Sequence, residues 1–268
     1  MPELQHQNAY FFNPQASKPN CPLLIFLPGV DETGKDLMTM QTDSLETGFD
    51  VRCFVIPPED IDDFDLLAES ALALTEAERA STPQRAVYLC GESFGSCVAL
   101  KILEQAPQLF EKIILINPAS SFHRVWWLNF GSLLFPLTPD FFYNQSALLT
   151  LPFLAPLNRL SPQARQGLEE TIKSAPKQTA QQRLAMMREF SIDKTKLRQV
   201  TQPVLLIGSK QDLILPSVAE VNRLAEIFPQ ATVVTLHHSG HACLVEDDIN
   251  LYEIMENNDF ILPTERSP

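Results

Sequence analysis

One short stretch, residues 85–100 (RAVYLCGESFGSCVAL), most constrains what this chain can fold into. Its apolar, β-branched run at Ala86–Cys90 predicts a buried strand, and a helical pattern begins after Gly95. Between them lies G-x-S-x-G, with Ser93 at its centre. A Cβ at either glycine would strike the neighbouring strand or helix, so a sharp turn requires glycine at both positions. The pattern therefore predicts a strained turn that presents a serine hydroxyl as a nucleophile.

The order strand, G-x-S-x-G, helix resembles the nucleophile elbow of an α/β-hydrolase. At such an elbow the backbone N–H of Phe94 begins the helix and can donate to a developing oxyanion. A second donor is expected from the loop after the first core strand, where Val30 follows Pro28-Gly29. The adjacent Asp31 is expected to point away, because a carboxylate beside an oxyanion would be unfavourable.

Apolar strands and helical patterns alternate along the 268 residues, a length that fits one large domain. Besides the elbow strand, strands are predicted at Cys21–Leu27, Phe49–Ile56, Lys112–Ile116, Pro203–Gly208 and Ala231–Leu236. Besides the elbow helix, core helices are predicted at about Lys35–Leu45, Phe64–Arg79, Ser217–Phe228 and Leu244–Met255. Because the strands are apolar throughout, we expect a mainly parallel central sheet with helices on both faces.

Residues 120–196 differ in composition from the flanking segments 1–119 and 197–268, which form the expected α/β-hydrolase core. We expect this insertion to be a helical cap, or lid, over the carboxyl edge of the sheet. Its second half predicts two helices, one beginning at Ser161-Pro162 and one over about Thr179–Phe190.

The first half of the insertion contains both tryptophans and many phenylalanines, and Asp140 is the only charged residue between Arg124 and Arg159. These aromatic side chains either pack the cap against the core or line an apolar acyl site. The candidates for lining an acyl site are Trp126, Trp127, Phe130 and Phe135.

A serine nucleophile needs a base, and the base needs a group that fixes its tautomer. In this fold the acid follows a late strand and the histidine follows the last one. Those positions indicate Asp212 as the acid, although a turn or capping role is an alternative, and His241 as the base, since Gly240 leaves its ring room to reach Ser93. Two further aspartates compete as the acid, and two other histidines compete as the base: Asp247, Asp248, His237 and His238.

The three neighbouring histidines have no acidic or cysteine partner at metal-ligand spacing, so no metal site is predicted. A net charge of −13 makes nucleic acid an improbable partner. Five cysteines without paired spacing indicate buried thiols in a reducing compartment. The N-terminus lacks a secretory pattern and no apolar run reaches the length of a membrane span, so we expect a soluble cytoplasmic protein that is not secreted.

Five stretches carry a more specific resemblance: FLPGVDETGKDL, FDVRCFVIPPED, VYLCGESFGSCVAL, ILINPASSF and HHSGHACLVED. Together they resemble the hydrolase half of plant plastid and cyanobacterial phytyl ester synthase-like esterases, within the α/β-hydrolase superfamily. The resemblance implies esterase, lipase or acyltransferase chemistry on long-chain acyl and prenyl substrates, and a cyanobacterial or plastid-like compartment. Its motifs fall on Ser93, Asp212 and His241 as the triad.

Two departures from that family stand out. The family's D-G-T-G becomes Asp31-Glu32-Thr33-Gly34 here, and Glu92 replaces the aspartate before the serine. The H-x4-D signature of the second, acyltransferase-like domain of longer members is absent, so any transfer to an alcohol would pass through Ser93.

The predicted function is a cofactor-independent serine carboxylesterase that acts on a small-molecule or lipid ester, with peripheral membrane contact possible for long-chain substrates. One alternative is an acyltransferase using the same serine, and a more distant one is a non-catalytic ligand receptor. The sequence leaves the oligomeric state open.

Overall fold

The computed structural model of the protein describes residues 9–14, 16–29, 41, 44–58, 60, 62–137, 139, 150–174 and 176–261. Within these ranges seven strands form one sheet in the order β1-β3-β2-β4-β5-β6-β7. The strands are β1 (Tyr10–Phe12), β2 (Leu23–Leu27), β3 (Asp50–Val55), β4 (Val87–Glu92), β5 (Lys112–Ile116), β6 (Val204–Ser209) and β7 (Ala231–Leu236).

Strand β1 runs antiparallel to β3 at one edge, and every other pairing in the sheet is parallel. The predicted mainly parallel sheet is therefore confirmed. Strands β2 and β5 are buried along their whole length, which fits the uninterrupted apolar runs at residues 23–27 and 113–116.

Helices occupy the connections between the strands. They are α1 (Phe64–Ser81), α2 (Phe94–Gln105), α3 (Trp126–Leu134), α4 (Pro162–Ser174), α5 (Lys177–Glu189), α6 (Lys194–Leu197), α7 (Ser217–Ala225) and α8 (Leu251–Asn257). Short 3₁₀ turns lie at Pro107–Leu109, Ala119–Arg124, Phe135–Leu137, Leu157–Arg159 and Cys243–Val245. Residues 41, 44–45 and 150–154 are also helical. Helices α3, α4 and α5 all lie in the segment for which a cap is predicted.

Successive residues of each strand point to opposite faces of the sheet, so the sheet separates two cores. On one face, Leu23, Ile25 and Leu27 of β2 share a core with residues of α1, α2 and α7. On the other face, Leu24 and Phe26 of the same strand share a core with residues of α8. Both faces are covered by helices, as predicted.

The closing helix differs from its prediction at Leu244–Met255. The chain makes a 3₁₀ turn at Cys243–Val245, and α8 begins only at Leu251, where the Asn250 side chain caps it by accepting from the N–H of Glu253 at 3.1 Å. The intervening residues leave the helical path because they contact the segment near Arg159.

The elements β1, α3 and α6 were not predicted. Strand β1 has three residues and α6 has four, too few to show a periodic pattern. Helix α3 begins at Trp126, and its N-cap residue Val125 makes no side-chain hydrogen bond to the helix. The helix predicted at Lys35–Leu45 lies mostly outside the described residues.

All five cysteines lie in the described part of the chain, where they are free thiols, and only Cys21 is not buried. Among the helices of that part, none is both long enough and apolar enough to cross a membrane.

Candidate active site

Ser93 occupies the turn between β4 and α2 in a strained backbone conformation, with φ 50° and ψ −110°. Its N–H donates to the carbonyl of Ile116 at 2.9 Å, and its carbonyl accepts from the N–H of Ala119 at 3.1 Å. Ile116 is the last residue of β5, the strand beside β4. The neighbouring strand and the segment that follows it therefore hold the turn at the carboxyl edge of the sheet.

The two glycines of the motif are required by close contacts. A Cβ on Gly91 would lie 2.8 Å from the Cα of Ser96, and one on Gly95 would lie 2.5 Å from the carbonyl oxygen of Pro28. The first clash is with helix α2, and the second is with the segment that follows β2. The predicted reason for both glycines is confirmed, and the first turn of α2 lies against the loop expected to supply an oxyanion donor.

His241, in the loop after β7, connects Ser93 to Asp212. Its Nε2 lies 2.8 Å from Ser93 Oγ, and its Nδ1 lies 2.7 Å from Asp212 Oδ2. Because an ionised carboxylate only accepts hydrogen bonds, Nδ1 carries the ring proton and Nε2 is left to accept from the serine hydroxyl. The structure thus brings together the three residues that the sequence indicated, in the order needed to move a proton away from the serine.

Asp212 has a separate task for each carboxylate oxygen. Oδ1 accepts from the backbone N–H groups of Ile214 and Leu215, at 2.8 and 2.9 Å. Oδ2 accepts from the His241 ring and from the hydroxyl of Ser217. The turn role and the histidine-orienting role, alternatives for this residue at the sequence level, are therefore both present.

Burial lowers the pKa of His241, but the charge and hydrogen bond of Asp212, with the charge of Glu92, outweigh it and leave this pKa above its usual 6.5. Burial raises the pKa of Asp212, and its interactions with His241 and Ser217 reverse that effect and leave the pKa below its usual 3.8. The site therefore stabilises an imidazolium next to an ionised carboxylate, which is the charge state that proton removal from Ser93 produces.

Phe94 is the first residue of α2, where backbone N–H groups have no carbonyl partner within the helix. Its buried ring packs against Phe64 with ring centroids 4.8 Å apart, and the guanidinium carbon of Arg183 in α5 lies 5.7 Å from its centroid. These contacts fix the position of the Phe94 backbone beside Ser93. The other predicted oxyanion donor, Val30, lies outside the described residues, as does Asp31.

Asn117, which directly follows β5, was not predicted as a site residue. Its Nδ2 donates to the His241 carbonyl at 2.7 Å and to Ser209 Oγ at 2.9 Å, while its Oδ1 accepts from the N–H of Ser209 at 2.8 Å. It also adopts a positive φ of 43°. Asn117 therefore joins β5, β6 and the histidine loop. The sequence contained one signal for this residue, since an asparagine directly follows a strand that neighbours the elbow strand.

Glu246 is a second positioning residue that the sequence did not reveal. Its Oε1 accepts from the N–H of Gly240 at 2.8 Å, and its Oε2 lies 2.6 Å from Nε of Arg159. The N–H of Ala242 donates to the carbonyl of Leu154 at 2.8 Å, so both sides of His241 are tied to the segment 154–159. The histidine loop is therefore held by the inserted segment as well as by the core.

The competing residues lie elsewhere. His237 and His238 are exposed and lie in the turn just past β7 rather than at its end, while Asp247 and Asp248 are exposed beyond the 3₁₀ turn. No group of three or more His, Cys, Asp or Glu side chains is suited to hold a metal ion within the described ranges. Burial raises the pKa values of Cys90, Cys97 and Cys243, which keeps these thiols neutral.

The aromatic candidates for an acyl site lie largely in solvent. Trp126 is 74% exposed, Trp127 53% and Phe130 59%, while Phe135 is half-buried. Side chains this exposed do not line an enclosed pocket. Helix α3 turns these side chains to solvent and buries its opposite side. Contact between these residues and substrate stays a prediction.

Comparison with known proteins agrees with this fold. The sequence profile of the alpha/beta hydrolase fold family matches residues 56–248. The chain is 30% identical over 266 residues to phytyl ester synthase 1, chloroplastic, of Arabidopsis thaliana. The aligned region covers 88% of this chain and 37% of that protein. It is 28% identical to the pimeloyl-[acyl-carrier protein] methyl ester esterase of Nitrosomonas europaea, over 66% of this chain and 73% of that one.

Among solved structures, MenH from S. aureus superposes with a TM-score of 0.71 at 14% identity, covering 93% of this chain and 97% of that one. That similarity concerns the fold. The chain spans less than two fifths of the length of the Arabidopsis relative.

Proposed function

This chain belongs to the alpha/beta hydrolase fold family, and from that premise we propose that it is a serine carboxylesterase for medium-to-long acyl or prenyl esters. The observation that carries the proposal is the continuous hydrogen-bonded path from Ser93 Oγ through His241 to Asp212, with distances of 2.8 and 2.7 Å. A buried serine on a strained turn, next to the acceptor nitrogen of a histidine, is the arrangement that activates a hydroxyl for attack.

In the proposed reaction, Ser93 Oγ bonds to the ester carbonyl carbon while its proton passes to His241 Nε2. The N–H of Phe94 donates to the oxyanion of the tetrahedral intermediate. As that intermediate collapses, the imidazolium returns the proton to the leaving alkoxide, and the acyl group stays on the serine. Water then attacks the acyl-serine carbonyl while its proton passes to His241 Nε2. The imidazolium returns that proton to Ser93 Oγ as the bond between the serine and the acyl group breaks and the acid leaves. Asp212 orients the ring and stabilises its positive charge in both halves of the reaction.

The substrate class rests on the composition of the inserted segment. Residues 125–157 contain Asp140 as their single charged residue, a composition that suits contact with an aliphatic chain. We take residues 120–196 to act as the cap that meets the substrate. Its attachment to the histidine loop through Arg159 and Glu246 supports that assignment.

Labelling with a fluorophosphonate tests the proposal directly, because this reagent bonds covalently to an activated serine. We expect stoichiometric labelling of the wild-type chain, with the adduct on the peptide that contains Ser93, and none in Ser93→Ala. A correctly folded wild-type chain that does not react would support a non-catalytic ligand receptor instead.

A second candidate is acyl transfer to an alcohol through the same acyl-serine, which the 30% identity to a protein named phytyl ester synthase favours. Hydrolysis and transfer differ in whether water or the alcohol reaches the acyl-serine first. Supplying an acyl donor together with phytol separates them, since transfer accumulates phytyl ester and hydrolysis accumulates free acid.

A further inference from the structure

Helix α3 presents a broad apolar surface to solvent. We call this surface the α3 apolar face. It consists of Trp126, Trp127, Phe130, Leu133, Leu134 and Leu137, all in α3 or the 3₁₀ turn after it. Their exposed fractions range from 47% for Leu134 to 77% for Leu137. Isolated exposed apolar side chains are ordinary, whereas six of them on one helical segment form a contiguous patch of the kind that marks an interaction surface.

The helical spacing places these residues on one side of α3. With about 100° between successive residues, the six directions fall within roughly 120°. The opposite side, at Leu128 and Ser132, faces the protein, and α3 packs there against α5. A helix that buries a narrow side and leaves its wider apolar side in solvent exposes a surface suited to contact with a second apolar surface.

The charge of this region differs from that of the rest of the chain. The protein has 33 acidic and 20 basic residues, yet no acidic residue occurs between Glu111 and Asp140 in the sequence. The basic residues near the start of α3 are His123 and Arg124, and burial together with the charge of Arg124 lowers the pKa of His123. The α3 apolar face is thus nearly neutral in a protein whose net charge of −13 repels anionic surfaces.

We propose that the α3 apolar face docks on a bilayer of zwitterionic lipid. Tryptophan favours the depth of the headgroups, and leucine and phenylalanine favour the boundary of the acyl chains. Nine residues of α3 are too few to span a bilayer but suffice to lie in its surface. A neutral headgroup layer fits a nearly neutral patch, and an anionic one opposes the charge of the whole protein.

The area of the patch argues against a second copy of the chain as its occupant. A large aromatic side chain buries about 150–250 Å² when fully covered and a leucine less, so these six side chains, which are 47–77% exposed, leave on the order of 600 Å² open. A stable protein interface buries about 800 Å² on each partner. A lipid surface sets no such threshold, since each inserted side chain contributes separately.

The experiment uses the protein's own fluorescence, because Trp126 and Trp127 are its only tryptophans. We expect phosphatidylcholine vesicles to shift their emission to shorter wavelength and brominated phosphatidylcholine to quench it. Sedimentation with vesicles should give the partition coefficient. Binding should persist at high salt, since it is apolar, and should be unchanged in Ser93→Ala, since it is independent of catalysis.

The variant Leu134→Glu tests the surface, and Leu66→Glu on α1 is its matched control, because the two leucines are 47% and 46% exposed. We expect Leu134→Glu to lower the partition coefficient at least about tenfold, since it replaces an apolar side chain that the lipid would bury with a charged one. Leu66→Glu should leave it unchanged. Equal losses in the two variants, or no vesicle binding by the wild type, would overturn the proposal. So would a dimer that Leu134→Glu dissociates in a chain that does not bind vesicles.

Discussion

The side chain of Asn117 donates to the backbone carbonyl of His241 at 2.7 Å, so a residue outside the proposed relay, Ser93–His241–Asp212, holds the proposed base in place. The same side chain bonds Ser209 through both its amide nitrogen and its oxygen. One asparagine thereby sets the distance between the strand beside the elbow and the loop that carries His241.

Replacing Asn117 with glycine tests this role, because glycine fits its φ of 43° and the change removes the side-chain hydrogen bonds to Ser209 and His241. We expect kcat to fall roughly 10- to 100-fold as the imidazole shifts, with a smaller change in KM. Asn258→Gly is the control, since that side chain also donates to a carbonyl, of Ile254 at 2.8 Å, but far along the chain from the relay. A wild-type kcat in Asn117→Gly would refute the positioning role.

The variant Ser93→Ala should abolish esterase activity and leave the melting temperature nearly unchanged. Alanine and serine both carry a Cβ, so the strain at φ 50° stays the same while the nucleophile is lost. Hydrolysis of an activated p-nitrophenyl ester and thermal unfolding measure the two effects. Near wild-type turnover in a folded Ser93→Ala protein would show that another group is the nucleophile.

The variants Asp212→Asn and His241→Ala should each lower kcat by roughly 10³-fold or more, and adding Ser93→Ala to either should cost little further, because the three act as one unit. Asp247→Asn is the control, because this aspartate is exposed and outside the relay. An active Asp212→Asn with an inactive Asp247→Asn would mean that the acid is wrongly assigned.

The residues of this relay could be predicted because each follows a strand. The carboxyl ends of parallel strands meet at one edge, so Ser93, Asp212 and His241 converge although 148 residues separate the first from the last. The positions of the parallel strands were predictable for another reason, since strands buried on both faces are mostly apolar.

Other features depend on tertiary contacts that no local pattern records. The bond between Arg159 and Glu246 joins residues 87 positions apart, and nothing in the sequence around either residue indicates the other as its partner. It also explains the wrong prediction for the closing helix, which local composition favoured. The exposure of Trp126 was equally out of reach, because an apolar helix pattern does not indicate which of its sides the protein covers.

The contact between Glu246 and Gly240 leads to a further prediction. Glu246→Ala leaves the buried N–H of Gly240 without its acceptor and removes a partner from Arg159, which should destabilise the fold by about 2–4 kcal/mol and lower kcat. Asp248→Asn is the matched control, because it removes the other ion pair of Arg159 at a carboxylate that is 62% exposed. Urea unfolding and ester hydrolysis should separate the two variants, and equal effects would contradict this account.

The pH dependence should report the ionisation of His241. Only the neutral imidazole accepts the serine proton, so kcat/KM for an uncharged ester should rise with pH through an apparent pKa above 6.5. Glu92→Gln removes a negative charge that favours the imidazolium, so this apparent pKa should move to lower pH. Glu69→Gln, at an exposed position of α1, should leave it in place. An upward shift in Glu92→Gln would contradict the assignment of His241 as the base.

The final prediction concerns the acyl chain. Each buried methylene contributes about 0.8 kcal/mol, so burying half of the six methylenes added between acetyl and octanoyl esters should raise kcat/KM by roughly 50-fold. Ordering of the chain will reduce part of that gain. A series of p-nitrophenyl esters measures it, and Ser93→Ala, assayed across the same series, corrects for spontaneous hydrolysis. A kcat/KM that falls steadily beyond acetyl would refute the medium-to-long-chain preference and indicate a hydrolase of small esters, with the surface of α3 then serving lipid contact alone.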